Sequence, residues 1–290
     1  MSSDSSTHIK YYGYLPSLAA ACIFVVLFGA STVWHSVLIY KHRTWYFIPL
    51  FMGGIFEIVG YISRAVSNKQ MPNLTIGPYV VQTLLLLVAP ALIAASIYMI
   101  LGRIIASVDG ESYSLIRKRW LTKVFVTSDV VTFFIQLGGA ALLASSHASQ
   151  SKIGSHIVLA GLLLQIIIFG FFVVVLFVFH RRIRAAPTSQ CHDTSLPWNR
   201  FLYILYVTCL FVMIRSIVRV AEFIEGFQGV ILKHGVFLYV FDAVPMLAVI
   251  VIFNIWYPSN FSKREKNSLE YRETSGLDVE LEGQAGSKSS

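Results

Sequence analysis

Two short stretches carry acids and bases at spacings that a helix sets on one side. In "FEIVGYISR", Glu57, Tyr61 and Arg64 follow an i, i+4, i+7 pattern, and in "MIRSIVRVAEFIEG", Arg215, Arg219 and Glu222 repeat it. Residues at those offsets share one stripe of an α-helix. A carboxylate, a phenol and guanidinium groups held together can receive a cationic or anionic head group, hand on a proton, or neutralise one another. The order is acid then base in the first stretch and base then acid in the second. If the two helices are neighbours running the same way, Glu57 faces Arg215 or Arg219, and Arg64 faces Glu222.

The elements that must position these groups are membrane helices. Of the 290 residues, 56% are hydrophobic and 13% charged, and the mean hydropathy is +0.66. An ordinary soluble domain carries roughly 25% charged residues, and about 20 apolar residues cross the hydrocarbon core. Seven apolar runs meet that requirement, at about 17–40, 46–66, 78–106, 121–145, 155–180, 200–224 and 236–257. The chain is therefore expected to be an all-α membrane protein with seven transmembrane helices spanning 15–258. A charge near the centre of such a helix costs about 2.5–3.5 kcal/mol on insertion scales, so both charged stripes need partners, water or a purpose.

The net charge of +8 reports orientation rather than nucleic-acid binding. Alternate loops carry Lys41 and Arg43; Arg117, Lys118, Arg119 and Lys123; Arg181, Arg182, Arg184 and Arg200; and Lys263, Arg264 and Lys266. The opposite loops hold little beyond Lys10, Lys69, Lys152 and Lys233. The positive-inside bias places residues 1–14 outside the cell and the 259–290 tail in the cytosol. The "NLT" glycosylation sequon at Asn73 falls on the outer side in this arrangement, whereas "NFS" at Asn260 falls on the inner side. The first apolar run exceeds a signal peptide's roughly 7–15-residue core, so it is read as a retained helix. Cys22, Cys191 and Cys209 offer no pair facing the oxidising side, and no disulfide is expected. The tail, polar and poor in aromatics, is expected to be disordered.

More polar residues occur at similar depth: Gln82 in the third run, Gln165 in the fifth and Asp242 in the seventh, with Tyr239 three positions before Asp242. Two readings stand. The charges form structural ion pairs that fix helix register, or they line a polar cavity that opens outward. Excluding Arg64 near the outer end, Glu57, Glu222 and Asp242 oppose Arg215 and Arg219, which leaves one carboxylate spare for a cationic head group or a proton. Asp129 and Gln136 in the fourth run form a separate set, gating or structural. Arg103 is read as a snorkelling anchor, with Asp129 as its partner or as a cytosolic gate. His35 and His156 fall near opposite faces, so no metal site is expected. Pro90 and Pro245 lie inside the third and seventh runs, where proline removes a backbone hydrogen bond and kinks the helix. "YVVQ" at 79–82 and "YVFD" at 239–242, each followed by a proline, suggest a 3+1+3 parallel repeat of the sort found in small sugar transporters.

Several segments together resemble the fungal lipid-translocating exporter (RTA-like) family. They are "FEIVGYISR", "QTLLLLVAPALIAASIYMILGRII", "FVTSDVVTFFIQLGGAALLAS", "GLLLQIIIFGFFVV", "IRSIVRVAEFIEGFQG" and "YVFDAVPM", within a resemblance running from about residue 11 to 258. That family includes resistance proteins for aminocholesterol and for sphingoid long-chain bases, and a protoporphyrin transporter. By resemblance, Glu57, Tyr61, Arg64, Gln82, Asp129, Gln136, Gln165, Arg215, Arg219, Glu222, Gln228 and Asp242 fall on its recurring polar positions. Val218 stands where the family usually has Tyr, and Gly235 where a Glu often follows the His. The resemblance implies an ATP-independent translocator or exporter of amphipathic toxicants in the plasma membrane, with the endoplasmic reticulum sharing the same topology.

The chain contains no G-x-x-x-x-G-K-[ST] pattern, so no nucleotide motor or other cofactor is expected. The expected partners are an amphipathic small molecule or lipid and the bilayer. In this reading Arg215 and Arg219 tune the carboxylates or hold a phosphate, Glu57, Glu222 and Asp242 meet an amine, and Pro90 and Pro245 permit opening. The alternative is a seven-helix lipid sensor signalling to cytosolic partners, which shares the topology but has no external cysteine pair. An intramembrane enzyme would need a nucleophile and base or a metal cluster, and neither His-Glu-x-x-His nor a Ser/His/Asp set is present.

Overall fold

The computed structural model describes residues 18–69, 76–143, 148–192, 197–225 and 239–258. The sequon at Asn73, Gln228, Gly235, the N-terminal segment and the tail lie outside the described residues. Among the described residues seven long helices follow one another, with three short 3-10 turns between them and no strand. They are α1 (Leu18–His42), α2 (Ile48–Lys69), α3 (Ile76–Ser107), α4 (Lys118–Leu143), α5 (Ala148–Ala185), α6 (Trp198–Glu225) and α7 (Tyr239–Ile255). The first six are long and apolar enough to cross a membrane. Within its described residues α7 is shorter, about 25 Å at 1.5 Å per residue.

The helix ends follow local rules. Beyond α1, Arg43 adopts a left-handed conformation at φ 52° and the Thr44 amide donates back to the Ile39 carbonyl at 3.2 Å. Beyond α3, Asp109 does the same at φ 49°, and the Gly110 amide reaches the Ile105 carbonyl at 2.9 Å. Such a wrapped turn satisfies carbonyls that the helix end would otherwise orphan. Pro90 lies inside α3, and the helix continues through it.

Packing is largely between sequence neighbours: α1 on α2, α2 on α3, α3 on α4, α4 on α5 and α5 on α6. The ring is closed by α7, which packs on both α1 and α6, while α3 also meets α6. The α1–α7 seam is polar near its end. His35 Nδ1 lies 2.6 Å from Asn254 Oδ1, and Asn254 Nδ2 donates to the Ser31 carbonyl at 2.9 Å. Thr44 is hydrogen-bonded to the Tyr257 hydroxyl, and the Tyr46 hydroxyl donates to the Pro258 carbonyl at 3.2 Å. Arg103 covers the Tyr46 ring, 3.9 Å from its centroid, so this side chain is held by a packed aromatic at the helix end.

The α4–α5 pair is pinned by small residues. A Cβ built on Gly139 would stand 2.9 Å from the Val158 amide nitrogen, and one on Gly161 would stand 2.7 Å from Gln136 Cγ. Two helices without a hydrophobic drive between them come together by such close backbone approach.

Candidate functional site

The charged stripe of α2 is buried. Glu57 and Tyr61 are fully buried and Arg64 nearly so. The Arg64 Nε donates to the Tyr239 hydroxyl at 2.9 Å, and its guanidinium lies 5.1 Å from the centroid of that ring. Tyr239 and Tyr61 stack at 5.9 Å. Two α1 residues extend the stack: Phe24 lies 5.4 Å from Tyr239 and almost parallel to it, at 7°, and Phe28 lies 5.8 Å from Tyr61. The polar stripe of α2 therefore abuts an aromatic wall built by α1, α2 and α7.

The α6 stripe meets this cluster through α7 and α3. Arg215 Nε stands 2.7 Å from Asp242 Oδ1, both side chains being buried. The contact is one of charge rather than a formed hydrogen bond, because the N–H is not aligned and neither Asp242 oxygen accepts one. A second nitrogen of Arg215 donates to the Leu86 carbonyl, the group that the Pro90 ring leaves without an amide partner four residues on. Gln82, also buried, lies one turn earlier on the same face of α3. Arg219 pairs with Glu222 within α6 at 3.1 Å.

Asp242 reaches Arg215 from an unusual backbone. Tyr239–Ala243 forms a π-helical turn, and the α-helix resumes at Val244 with Pro245 in its first turn. A π turn widens the helix locally and is frequent at functional sites. Proline fits there because its missing amide falls at the junction.

Glu57 is the exception in the cluster. It lies within electrostatic range of Asp242, Arg215 and Arg219, yet neither carboxylate oxygen accepts a hydrogen bond among the described residues. Among the described residues the cluster thus contains two close ion pairs, an Arg64–Tyr239 contact and one buried carboxylate that accepts no hydrogen bond.

The structure regroups several side chains. Glu57 does lie within electrostatic range of Arg215 and Arg219, as the charge order suggested, whereas Arg64 contacts Tyr239 of α7 and Glu222 is taken by Arg219 of its own helix. The physical reason is the packing order: α1 and α3 are the main neighbours of α2, whereas α6 lies against α3, α5 and α7. Gln165, grouped by depth with the charged stripes, accepts instead from Gln136 Nε2 at 3.0 Å across the α4–α5 pair. Asp129, read from sequence as the partner of Arg103 or as a cytosolic gate, accepts from the Tyr98 hydroxyl at 3.0 Å, beside a ring cluster of Phe125, Phe169 and Phe172 around Tyr98. No cluster of three or more metal-ligating side chains occurs among the described residues. Sequence reading did not single out Phe24, Phe28 or the Leu86 carbonyl. The i, i+4 aromatic spacing in α1 and the position of Leu86 four residues before Pro90 were the available signals.

Spanning helices around a buried charged cluster define a multi-pass integral membrane protein. The family model described as RTA1 like protein matches residues 50–265, and the chain belongs to that family. It is 39% identical to Protoporphyrin uptake protein 1 of Saccharomyces cerevisiae, over 88% of this chain and 94% of that protein. Protein RTM1 of Saccharomyces cerevisiae is 37% identical over 87% of this chain and 93% of its own. A more distant relative, the Sphingoid long-chain base transporter RSB1 of Saccharomyces cerevisiae, is 23% identical over 91% of this chain and 78% of its own. No solved structure matches the chain.

Proposed function

We propose that this protein moves amphipathic lipid-like molecules, sphingoid bases among them, between leaflets or out of the cell without ATP, and that it is not an enzyme. One observation carries the reading: Glu57 is a fully buried carboxylate with no hydrogen-bond partner among the described residues, placed beside charged and aromatic groups. An acid in apolar surroundings without a partner is costly to keep. An amine head group arriving at Glu57 would supply the missing donor, while its hydrocarbon tail remains among the apolar helices. The name of the relative that carries sphingoid long-chain bases fits a ligand of this shape, with a cationic head and an apolar chain.

In this reading Arg215 and Asp242 hold the site open as a fixed pair, and Arg219 and Glu222 flank it. Tyr61 and Tyr239 present ring faces to the head group, and Gln82 adds a polar wall on α3. Pro90 and Pro245 permit the surrounding helices to part. The N-terminus lies outside, the tail in the cytosol, and the plasma membrane is the working compartment, conferring resistance to toxic amphipaths. The test is transbilayer movement of a labelled sphingoid base in proteoliposomes holding the purified protein, with Glu57→Gln, Arg219→Ala and protein-free vesicles alongside. Movement that requires both side chains is expected. Equal movement by folded Glu57→Gln protein would remove Glu57 from the path, and no movement above protein-free vesicles would reject the substrate class.

A further inference from the structure

A second feature lies on the outer face of the α4–α5 pair, lined by none of the residues of the charged cluster. It is a groove of about 600 Å³ walled by Val124, Val131, Leu164 and Ile168, with Trp120 and Lys123 at one end. Two of its hydroxyls are already engaged. Ser128 Oγ donates to the Val124 carbonyl at 2.7 Å, and Thr132 Oγ1 to the Asp129 carbonyl at 2.9 Å. The wall beyond Lys123 is consequently mostly methyl and methylene surface.

The charged side chain that lines the groove's end, Lys123, is positive. It and Arg117, which lies outside the lining three residues before Trp120, are exposed and make no ion pair among the described residues. Asp129, the acid on the same helix, is buried and engaged by Tyr98. From Trp120 to Thr132 the groove follows twelve residues of α4, about 18 Å at 1.5 Å per residue, close to half of a hydrocarbon core of about 30 Å. A channel one leaflet deep, apolar along its length and cationic beside an interfacial tryptophan, has the dimensions and polarity of a phospholipid in place.

We propose that the α4–α5 groove binds one anionic glycerophospholipid, an acyl chain lying between Val124, Val131, Leu164 and Ile168 and the phosphate held by Lys123 and Arg117. This site is distinct from the charged cluster, and its occupant is a resident lipid rather than the transported molecule.

The test uses the full-length protein in detergent micelles with phosphatidylserine and phosphatidylcholine of identical chains, read by native mass spectrometry as lipid retained per protein. Preferential retention of phosphatidylserine is expected, weakened about fivefold for each of Lys123→Ala and Arg117→Ala. Val131→Trp, which fills the groove, abolishes the preference, as does Leu164→Phe if the tryptophan variant does not fold. Lys152→Ala, an exposed lysine of α5 outside the groove, leaves it intact. Equal retention of the two lipids by the unaltered protein overturns the proposal, and so does a preference that survives the groove-filling substitutions. Displacement of phosphatidylserine by the soluble glycerophosphoserine head group alone would also overturn it, because the site would then hold a phosphate without the chain. Displacement by a sphingoid base, with no preference for phosphatidylserine, would assign the groove to the transported molecule.

Discussion

Pro90 of α3 and Arg215 of α6 act on the same atom, the Leu86 carbonyl oxygen. The proline cannot supply the amide that this carbonyl would accept in an unbroken helix, and the arginine donates to it from the neighbouring helix. Arg215 is therefore bound to α3 through a backbone group and to α7 through Asp242 at 2.7 Å. Within a bilayer no water stands ready to take either role, so Pro90 and the ion pair form one structural unit.

That unit predicts non-additive substitutions. Arg215→Ala strips a partner from Asp242 and from the Leu86 carbonyl together, and should cost roughly 3–5 kcal/mol, the range for breaking a buried pair. Pro90→Ala restores an amide to Leu86, so in that background the Arg215→Ala loss should shrink by about 1–3 kcal/mol, the cost of one unsatisfied buried group. Unfolding of the four proteins of this cycle in detergent measures the coupling. Simple additivity would mean that the Leu86 carbonyl finds another donor.

Glu57 and Asp242 should respond in opposite ways to neutralisation. Asp242→Asn leaves Arg215 without its counter-charge and is expected to lower stability by roughly 3–5 kcal/mol. Glu57→Gln replaces a buried acid that accepts no hydrogen bond among the described residues with a neutral side chain of the same size, so its unfolding midpoint should equal or exceed that of the unaltered protein. Its sphingoid-base movement should nonetheless be lost. Thermal unfolding and proteoliposome transport on the same preparations separate the two carboxylates.

The α4–α5 contact should be intolerant of a single methyl. Gly139→Ala would set a Cβ 2.9 Å from the Val158 amide nitrogen, a backbone atom that cannot turn aside, and a loss of about 1–3 kcal/mol is expected. Gly138→Ala, whose Cβ meets nothing within 4 Å, serves as the control. Comparable unfolding midpoints for the two variants would show that the helix pair slides to accommodate the methyl.

Tyr239→Phe should split the aromatic and hydrogen-bonding roles of that residue. The stack with Tyr61 and Phe24 survives, while Arg64 loses one acceptor, the hydroxyl at 2.9 Å, and a loss of about 1.5–3 kcal/mol is expected for a bond to a charged donor. Tyr239→Ala should cost more, since the stacked rings also lose their contact. Equal effects of the two would place the whole contribution in the hydroxyl.

Much of the fold was legible before any coordinates. Apolar runs predicted near 17–40, 46–66, 78–106, 121–145 and 200–224 appear as Leu18–His42, Ile48–Lys69, Ile76–Ser107, Lys118–Leu143 and Trp198–Glu225, because membrane helices are set by local hydrophobicity and length. The run at 155–180 grows to Ala148–Ala185, its ends extended by polar residues that hydropathy alone does not count. The seventh run at 236–257 is described from Tyr239, and its π turn has no signature in hydropathy.

The candidate site was legible in kind and less so in its pairings. Cost alone marks Glu57, Arg64, Arg215, Glu222 and Asp242, since each charge inside an apolar run demands an explanation. Which charge meets which was decided by the tertiary structure. Gln165 and Glu57 look alike as polar residues at mid-helix, yet one is bonded across α4–α5 by Gln136 and the other has no hydrogen-bond partner among the described residues. Composition and periodicity report how deep a residue lies and on which side of its own helix. Partners depend on the order in which helices pack, on a π turn that brings Asp242 to Arg215, and on a carbonyl freed by Pro90. These relations join residues from different helices, up to 129 positions apart for Leu86 and Arg215, beyond the reach of any local rule.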